Sequence, residues 1–390
     1  MTQTTQSRPT LVFRAKRLIP APFIDAMIIT IVAMVISLFL FGLFVTFTKG
    51  ISIWTVYEYL FRGAVGKASA WRNTMIHASP LLLTALAVAL PARVGMVIIG
   101  GEGCVLLGAL MAALVAHLMP SAPPIVVQFS MIVSGMFIGG IWVTIAGALK
   151  QYRGVNETIS SLLLNYIARA ILNHCIEGPM RDWNNLNVPS SWPLDPRVML
   201  GNIPGTEVHV GLIFGIVACL MAWILMDHTT IGFATRVVGG NVRAARVAGL
   251  SVAKYSLLAC FLGGAAAGLA GVIEVAARDG AATDNLSQAG YGYAGILVAF
   301  VARQNPLAVI PVAILMGGVN NDYLKFKLDS DSCVQVFQGI LFLVILGLDT
   351  WAGRLSELRH AWFSRVIGRI FYNIKPRKPG AAAGAAHVNA

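Results

Sequence analysis

Apolar residues in this chain do not recur with the period of two or of 3.6 that marks half-buried strands and surface helices. They run in long blocks separated by short polar stretches. Ten such blocks are delimited at 27–48, 74–91, 94–119, 125–149, 157–175, 208–226, 254–275, 291–302, 305–321 and 334–350. A bilayer-crossing helix needs about 20 apolar residues, so most blocks suffice alone, and the short eighth and ninth cross only if buried among others. The pattern predicts an all-α polytopic membrane protein of about ten transmembrane helices.

Charge fixes an orientation. Of 390 residues, 57% are hydrophobic and 12% charged, and the mean hydropathy is +0.73; soluble domains carry about 25% charge. A net charge of +12 would suit a nucleic-acid partner, but the basic residues cluster at block ends. With the N-terminus inside, the inner segments hold 19 Lys and Arg and the outer segments nine, with Arg169 inside a block. That asymmetry obeys the positive-inside rule and places both termini in the cytoplasm; membrane lipid, not nucleic acid, is the implied surround. The first block, preceded by Arg8, Arg14, Lys16 and Arg17, is too long for a signal-peptide core and reads as a retained anchor. The predicted organisation is a cytoplasmic arm (1–26), a transmembrane domain (27–350) and a basic, partly disordered tail (351–390). Within the domain, loop 176–207, with five prolines, is expected to lie outside on the membrane surface, and loop 227–254 inside.

Ionisable groups within hydrocarbon are costly and usually face a bundle interior or a solute path. Glu102 lies among Gly100, Gly101 and Gly103, which permit a bent or broken helix. Glu274 follows Gly264, Gly268 and Gly271, a face suited to close helix approach. Asn165 and Arg169 occupy the fifth block. Each of these four is either a structural polar residue or part of a path. No histidine, cysteine or serine spacing matches a metal or nucleophile motif, and "GAVGKAS" (63–69) has Phe61 where a phosphate-binding loop needs its first glycine. Neither a nucleotide site nor a cofactor is expected on this chain. The five cysteines show no paired spacing and read as small apolar filler.

Loop 227–254 has internal order. Thr229 or Thr230 is placed to cap a first turn, "IGFATRVV", ended by Gly239 and Gly240. Asn241 is placed to cap "VRAARVA", and Gly249 sits where a helix C-terminal glycine belongs. A helix of about seven residues is unstable alone in water, so something must hold it. Small Ala244, Ala245 and Ala248 favour a protein groove over a lipid surface. The alternative is an ordinary basic loop.

These residues carry a family resemblance. "TTIGFATRVVGGNVRAARVAGLSVAKY" resembles the inner loop of permease subunits of bacterial ABC importers, in the branch serving simple sugars, nucleosides and branched-chain amino acids. "PLLLTALAVALPARVGMVIIGGEGCVLLGALMAALVA", "RGVNETISSLLLNYIA", "GGAAAGLAGVIEV" and "GYGYAGILVAFVARQNPLAVIPVAILMGG" follow the family's order over about residues 75 to 350. Length and wording are most similar to the nucleoside and simple-sugar group. The resemblance implies a multi-pass subunit of the bacterial cytoplasmic (inner) membrane, with no catalysis of its own. It pairs with a second permease subunit, cytoplasmic ABC ATPase subunits that bind ATP and Mg, and an extracytoplasmic solute-binding protein. It implies that Asn241, Arg243, Ala244, Ala245, Arg246 and Gly249 dock the ATPase as a coupling helix, and that Glu102, Asn165 and Glu274 line or shape the path of a small neutral polar solute. A nucleoside or nucleobase ranks ahead of a simple sugar. One departure is visible: family members read FNIGxEGQ where this chain reads "VIIGGEGC", with Cys104 for Gln, which removes polar groups from a path segment. The rival class is a proton-coupled secondary carrier relaying protons through Glu102 and Glu274. A polytopic enzyme is disfavoured, since no nucleophile, base or metal set converges.

Overall fold

The computed structural model describes residues 21–184, 188–320 and 333–348, with single positions Tyr323, Lys327 and Thr350. Most of the expected arm 1–26 and all of the tail 351–390 fall outside the described residues. The chain is helical: α1 Ala21–Lys49, α2 Ile53–Ala64, α3 Ala68–Ala92, α4 Gly101–Leu118, α5 Pro124–Arg153, α6 Glu157–Glu177, α7 Gly211–His228, α8 Thr230–Gly240, α9 Val242–Val247 and α10 Val252–Ile273. A π-helical turn, Glu274–Asp279, extends α10, followed by α11 Asn285–Ala289, α12 Tyr291–Val301, α13 Pro306–Val319 and α14 Cys333–Leu348. No strand forms among the described residues, only isolated bridges such as Ser190 with Thr283. Seven of the helices are long and apolar enough to cross a membrane, and α12, α13 and α14 are shorter.

Two compact units result. The smaller, Met1–Met34 with Leu343–Ala390, contributes among described residues the first part of α1 and the end of α14. The larger, Val35–Phe342, holds every residue discussed below.

At its centre α10 packs against α3, α4 and α5. The reason is a glycine seam. A Cβ on Gly264 would collide with the Gly139 carbonyl of α5, one on Gly268 with the Gly135 carbonyl, and one on Gly271 with the Val105 carbonyl of α4. Without side chains at these points the backbones meet directly, and dense van der Waals contact replaces the hydrophobic driving force that lipid cannot supply. The close approach expected of Gly264, Gly268 and Gly271 is present.

One sequence expectation changes. The apolar block 94–119 is not one helix: residues 93–100 are irregular, Gly95 takes φ +77°, and helix resumes only at Gly101. The 176–207 loop is tied to the rest of the chain. Its described residues fold over the end of α10: Leu194 N–H donates to Gly280 O (2.7 Å), Leu200 N–H to Ala276 O (2.7 Å), Ser191 N–H to Ala282 O (2.8 Å), and Trp192 stacks on His117 at 3.8 Å.

Candidate solute path and coupling loop

The irregular segment before α4 leaves backbone polar groups without helical partners, which a membrane-spanning bundle tolerates only where protein satisfies them. Helix α6 does so. Its N-cap Asn156 accepts from Thr158 and Ile159 N–H (2.9 and 3.2 Å), starting the helix so that Thr158, Ser161 and Asn165 share a face at three- and four-residue spacing. Thr158 Oγ1 donates to Val97 O (2.9 Å), Ser161 Oγ accepts from Ile99 N–H (3.1 Å), Asn165 Nδ2 donates to Ile99 O (3.0 Å), and Asn165 Oδ1 accepts from Gly103 N–H (2.8 Å). The polar positions of "NETISSLLLN" are therefore a ladder that stitches the break.

Asn165, expected to line a path, has both amide atoms committed to backbone and is buried. These bonds brace the break. Replacing Asn165 by leucine strands one buried donor and one buried acceptor, which costs about 2–3 kcal/mol; a thermal melt of the purified variant should show the loss. Cys104 is buried too, its thiol against Gly139 O at 3.4 Å in the α4–α5 contact. The cysteine that departs from the wording of the resembled family lies in helix packing.

Glu102, on the first turn of α4, reaches the start of α12. Its Oε2 accepts from Gly292 N–H at 2.6 Å. Gly292 can approach because it has no Cβ: one would strike the Glu102 backbone. A carboxylate on an otherwise unpartnered N-terminal amide is a favoured helix cap. The neighbouring residue Tyr291 is held by a second network: Arg278 Nη1 donates to Tyr291 Oη (2.6 Å) and to Glu274 Oε2 (3.2 Å), and His77 Nδ1 lies 3.1 Å from the same hydroxyl. Glu102 and Glu274, 172 positions apart in sequence, thus converge on adjacent residues of one helix start. Glutamine at 102 keeps an acceptor for Gly292 and should cost no more than about 1 kcal/mol, whereas alanine should cost about 2–3 kcal/mol. Melting temperatures compare the two, and transport that survives Glu102→Gln but not Glu102→Ala would make hydrogen bonding, not charge, the requirement.

Sequence reasoning missed Tyr291, Arg278 and His77. The available signal was "GYGYAG" directly after a charged turn, where small residues admit close partners. Arg169 is half exposed and pairs with Asp284 at 3.5 Å, ahead of α11. Burial would raise the Asp284 pKa, but hydrogen bonds from Ser287 and Gln288 and the Arg169 charge outweigh it and hold the carboxyl below its ordinary range. Beside them the π-helical turn and α11 border an open-sided cavity of about 310 Å³, lined by Glu274, Arg278, Asp279, Thr283, Asn285 and two apolar residues.

At the opposite end of α10 lies the 227–254 loop. Thr229 Oγ1 accepts from Gly232 N–H (3.3 Å) and opens α8. Asn241 Oδ1 accepts from both Arg243 and Ala244 N–H (3.0 Å each) and opens α9. Gly249 at φ +76° closes it, with Leu250 N–H returning to Ala245 O at 2.9 Å. The expected caps are in place. The reason a six-residue helix persists differs from the expectation, however: Ala245 is fully buried in its own chain. It anchors α9 and is not available to a partner. Arg243, Ala244, Arg246 and Gly249 are exposed, as is Val247, 91% exposed, which sequence reasoning passed over. The loop also rests on the break: Gly239 sits against the Arg93 carbonyl, and Arg93 and Arg236 both face Asp227 (3.6 and 3.7 Å).

A family model described as "Branched-chain amino acid transport system / permease component" matches residues 71–346, which takes in the break, the glycine seam and the capped loop. The chain belongs to this permease family. The permease is 32% identical over 289 residues to the glucose ABC transporter permease protein TsgB13 of Haloferax volcanii, covering 70% of this chain and 75% of the relative. It is 29% identical over 313 residues to the guanosine ABC transporter permease protein NupP of Bacillus subtilis (78% and 88%), and 28% over 301 to the nucleoside ABC transporter permease protein NupB of Lactococcus lactis (73% and 82%). The permease is thus an ABC permease of the nucleoside and simple-sugar group and a multi-pass protein of the inner membrane.

Proposed function

We propose that this permease is the membrane subunit of an ATP-driven, binding-protein-dependent importer that moves a small neutral polar solute into the cytoplasm, a nucleoside or nucleobase ahead of a simple sugar. In this reading ten segments cross the membrane with both termini inside, α12 and α13 being admitted because they are buried among longer helices. ATP and Mg reside on a separate ATPase, and a second permease subunit and an extracytoplasmic binding protein complete the machine. The domain limits remain those of the sequence: arm 1–26, membrane domain 27–350, tail 351–390.

The observation that carries the proposal is the loop α8–α9. A doubly capped helix presents Arg243, Arg246 and Val247 outward, while the preceding α8 sets Gly239 against Arg93 at the start of the broken segment and shares Asp227 with Arg93 through Arg236. Force applied to α9 therefore reaches residues 93–100, then Glu102, then the start of α12, through direct contacts. A segment stitched by side-chain hydrogen bonds and not by helical ladders is the part of a rigid bundle that can rearrange at modest cost. Glu102 and Glu274 then shape the path by holding α12, and Asn165 by holding the break.

Uptake by vesicles that contain the assembled transporter is the test. Guanosine or glucose accumulation should require ATP and survive an uncoupler. Accumulation without ATPase subunits that collapses with the proton gradient would overturn the reading in favour of a secondary carrier working through Glu102 and Glu274.

A further inference from the structure

Beyond the path as a whole, we infer that the cavity at the end of α10 is a subsite for a vicinal diol, the hydroxylated ring edge that a ribose and a simple sugar share. The inference rests on the importer reading and adds to it a location and a recognition chemistry.

Four features carry it. The cavity, about 310 Å³, is large enough for one sugar ring, and its polar wall gathers two carboxylates, a guanidinium, a hydroxyl and a carboxamide from Glu274, Asp279, Arg278, Thr283 and Asn285. Glu274 is buried to 1% exposure, yet only its Oε2 is engaged, by Arg278; Oε1 meets no donor within the described chain. A buried carboxylate oxygen without a donor is costly, and because Oε1 is closed off from the cavity as the side chain stands, a ligand hydroxyl satisfies it by turning the carboxyl toward the cavity. Arg278, fixed by Glu274, Tyr291 and Asp279 (Nε to Oδ1, 3.8 Å), is preorganised beside it. A vicinal diol offers two donors and two acceptors on adjacent carbons, matching carboxylate acceptors next to a guanidinium and an amide. A phosphate would meet two carboxylates and is disfavoured.

The floor is also built. A π-helical turn adds a residue per turn and is a recurrent device for turning side chains into functional sites. Here it places Glu274, Arg278 and Asp279 together, and the 176–207 loop pins its far side through Gly280 and Ala276.

Saturation-transfer NMR on the full-length chain in nanodiscs tests this with guanosine, glucose and 2′,3′-dideoxyguanosine. The subsite predicts that the dideoxy compound binds on the order of 10- to 100-fold more weakly than guanosine. Glu274→Leu and Asn285→Leu should each narrow that gap. Asn285 is exposed, so its variant reports even if the buried change disturbs folding. Glucose binding that falls in the same two variants marks the free sugar as a source of the diol, and guanosine binding that falls alone marks the nucleoside. Equal binding of guanosine and its dideoxy form, or wild-type preference in both variants, overturns the subsite. If diol preference is lost while vesicle uptake stays ATP-dependent, only the subsite fails. If the preference holds but no ATP-dependent uptake occurs, the importer reading fails.

Discussion

Leucine at Gly271 is expected to leave little folded protein. The Cβ alone would strike the Val105 carbonyl, with Ala109 N and Val105 C close behind, so the obstacle is the backbone of α4 and no rotamer relieves it. Helix α10 would have to withdraw from α4, and because α10 also meets α5 through Gly264 and Gly268, withdrawal opens that contact too. Overpacking that only displaces side chains costs about 1–3 kcal/mol; one that parts a central helix from two neighbours should reach about 4–5 kcal/mol, a large share of a marginal stability of about 5–15 kcal/mol. Size-exclusion yield and melting temperature in detergent read the effect. Gly240→Ala is the control: nothing lies within 4 Å of its Cβ position, and it should melt like the wild type. A Gly271→Leu variant as monodisperse and as stable as that control would show that the seam is not what holds α10.

The seam was legible because glycines at 264, 268 and 271 recur at helical spacing, and small residues at that spacing have one main use inside a bilayer. The long spans were legible for an equally simple reason, since apolar length is dictated by the hydrocarbon thickness. The caps of α8 and α9 were legible too, because Thr229, Asn241 and Gly249 act on their own backbone neighbours.

What escaped depends on partners far away in sequence. Val94, Met96, Val97, Ile98 and Ile99 read as helix by composition, and the break exists because Gly95 turns the chain and Thr158, Ser161 and Asn165 await its carbonyls and amides. Glu102 was recognisable as an anomaly but not as a cap, because its partner Gly292 lies 190 residues on. Arg278 counted only as a loop charge, although it ties Glu274 to Tyr291. Ala245 looked like a docking residue because smallness alone does not tell which side of a helix faces home.

Reversing Arg243 and Arg246 together to glutamate should abolish uptake while leaving the permease folded. Both side chains are exposed and neither makes a side-chain hydrogen bond or ion pair among those described, so stability should move by no more than about 0.5 kcal/mol. The anchors of α9, which are the Asn241 cap, Ala245 and the Gly249 turn, are untouched by the change. What changes is the sign of the face it presents. If that face docks on the proposed ATPase, opposite charges there become like charges, a penalty of several kcal/mol that weakens the complex by far more than tenfold. ATPase co-purification and ATP-dependent uptake should then fall together. Asn241→Ala provides a graded comparison, since it loosens the first turn of α9 by about 1 kcal/mol without altering its charge, and uptake should drop only in part. Were the double variant to retain both the ATPase and normal uptake, α9 would be an ordinary capped turn of a basic loop, and the route from Gly239 through Arg93 to Glu102 would have no input.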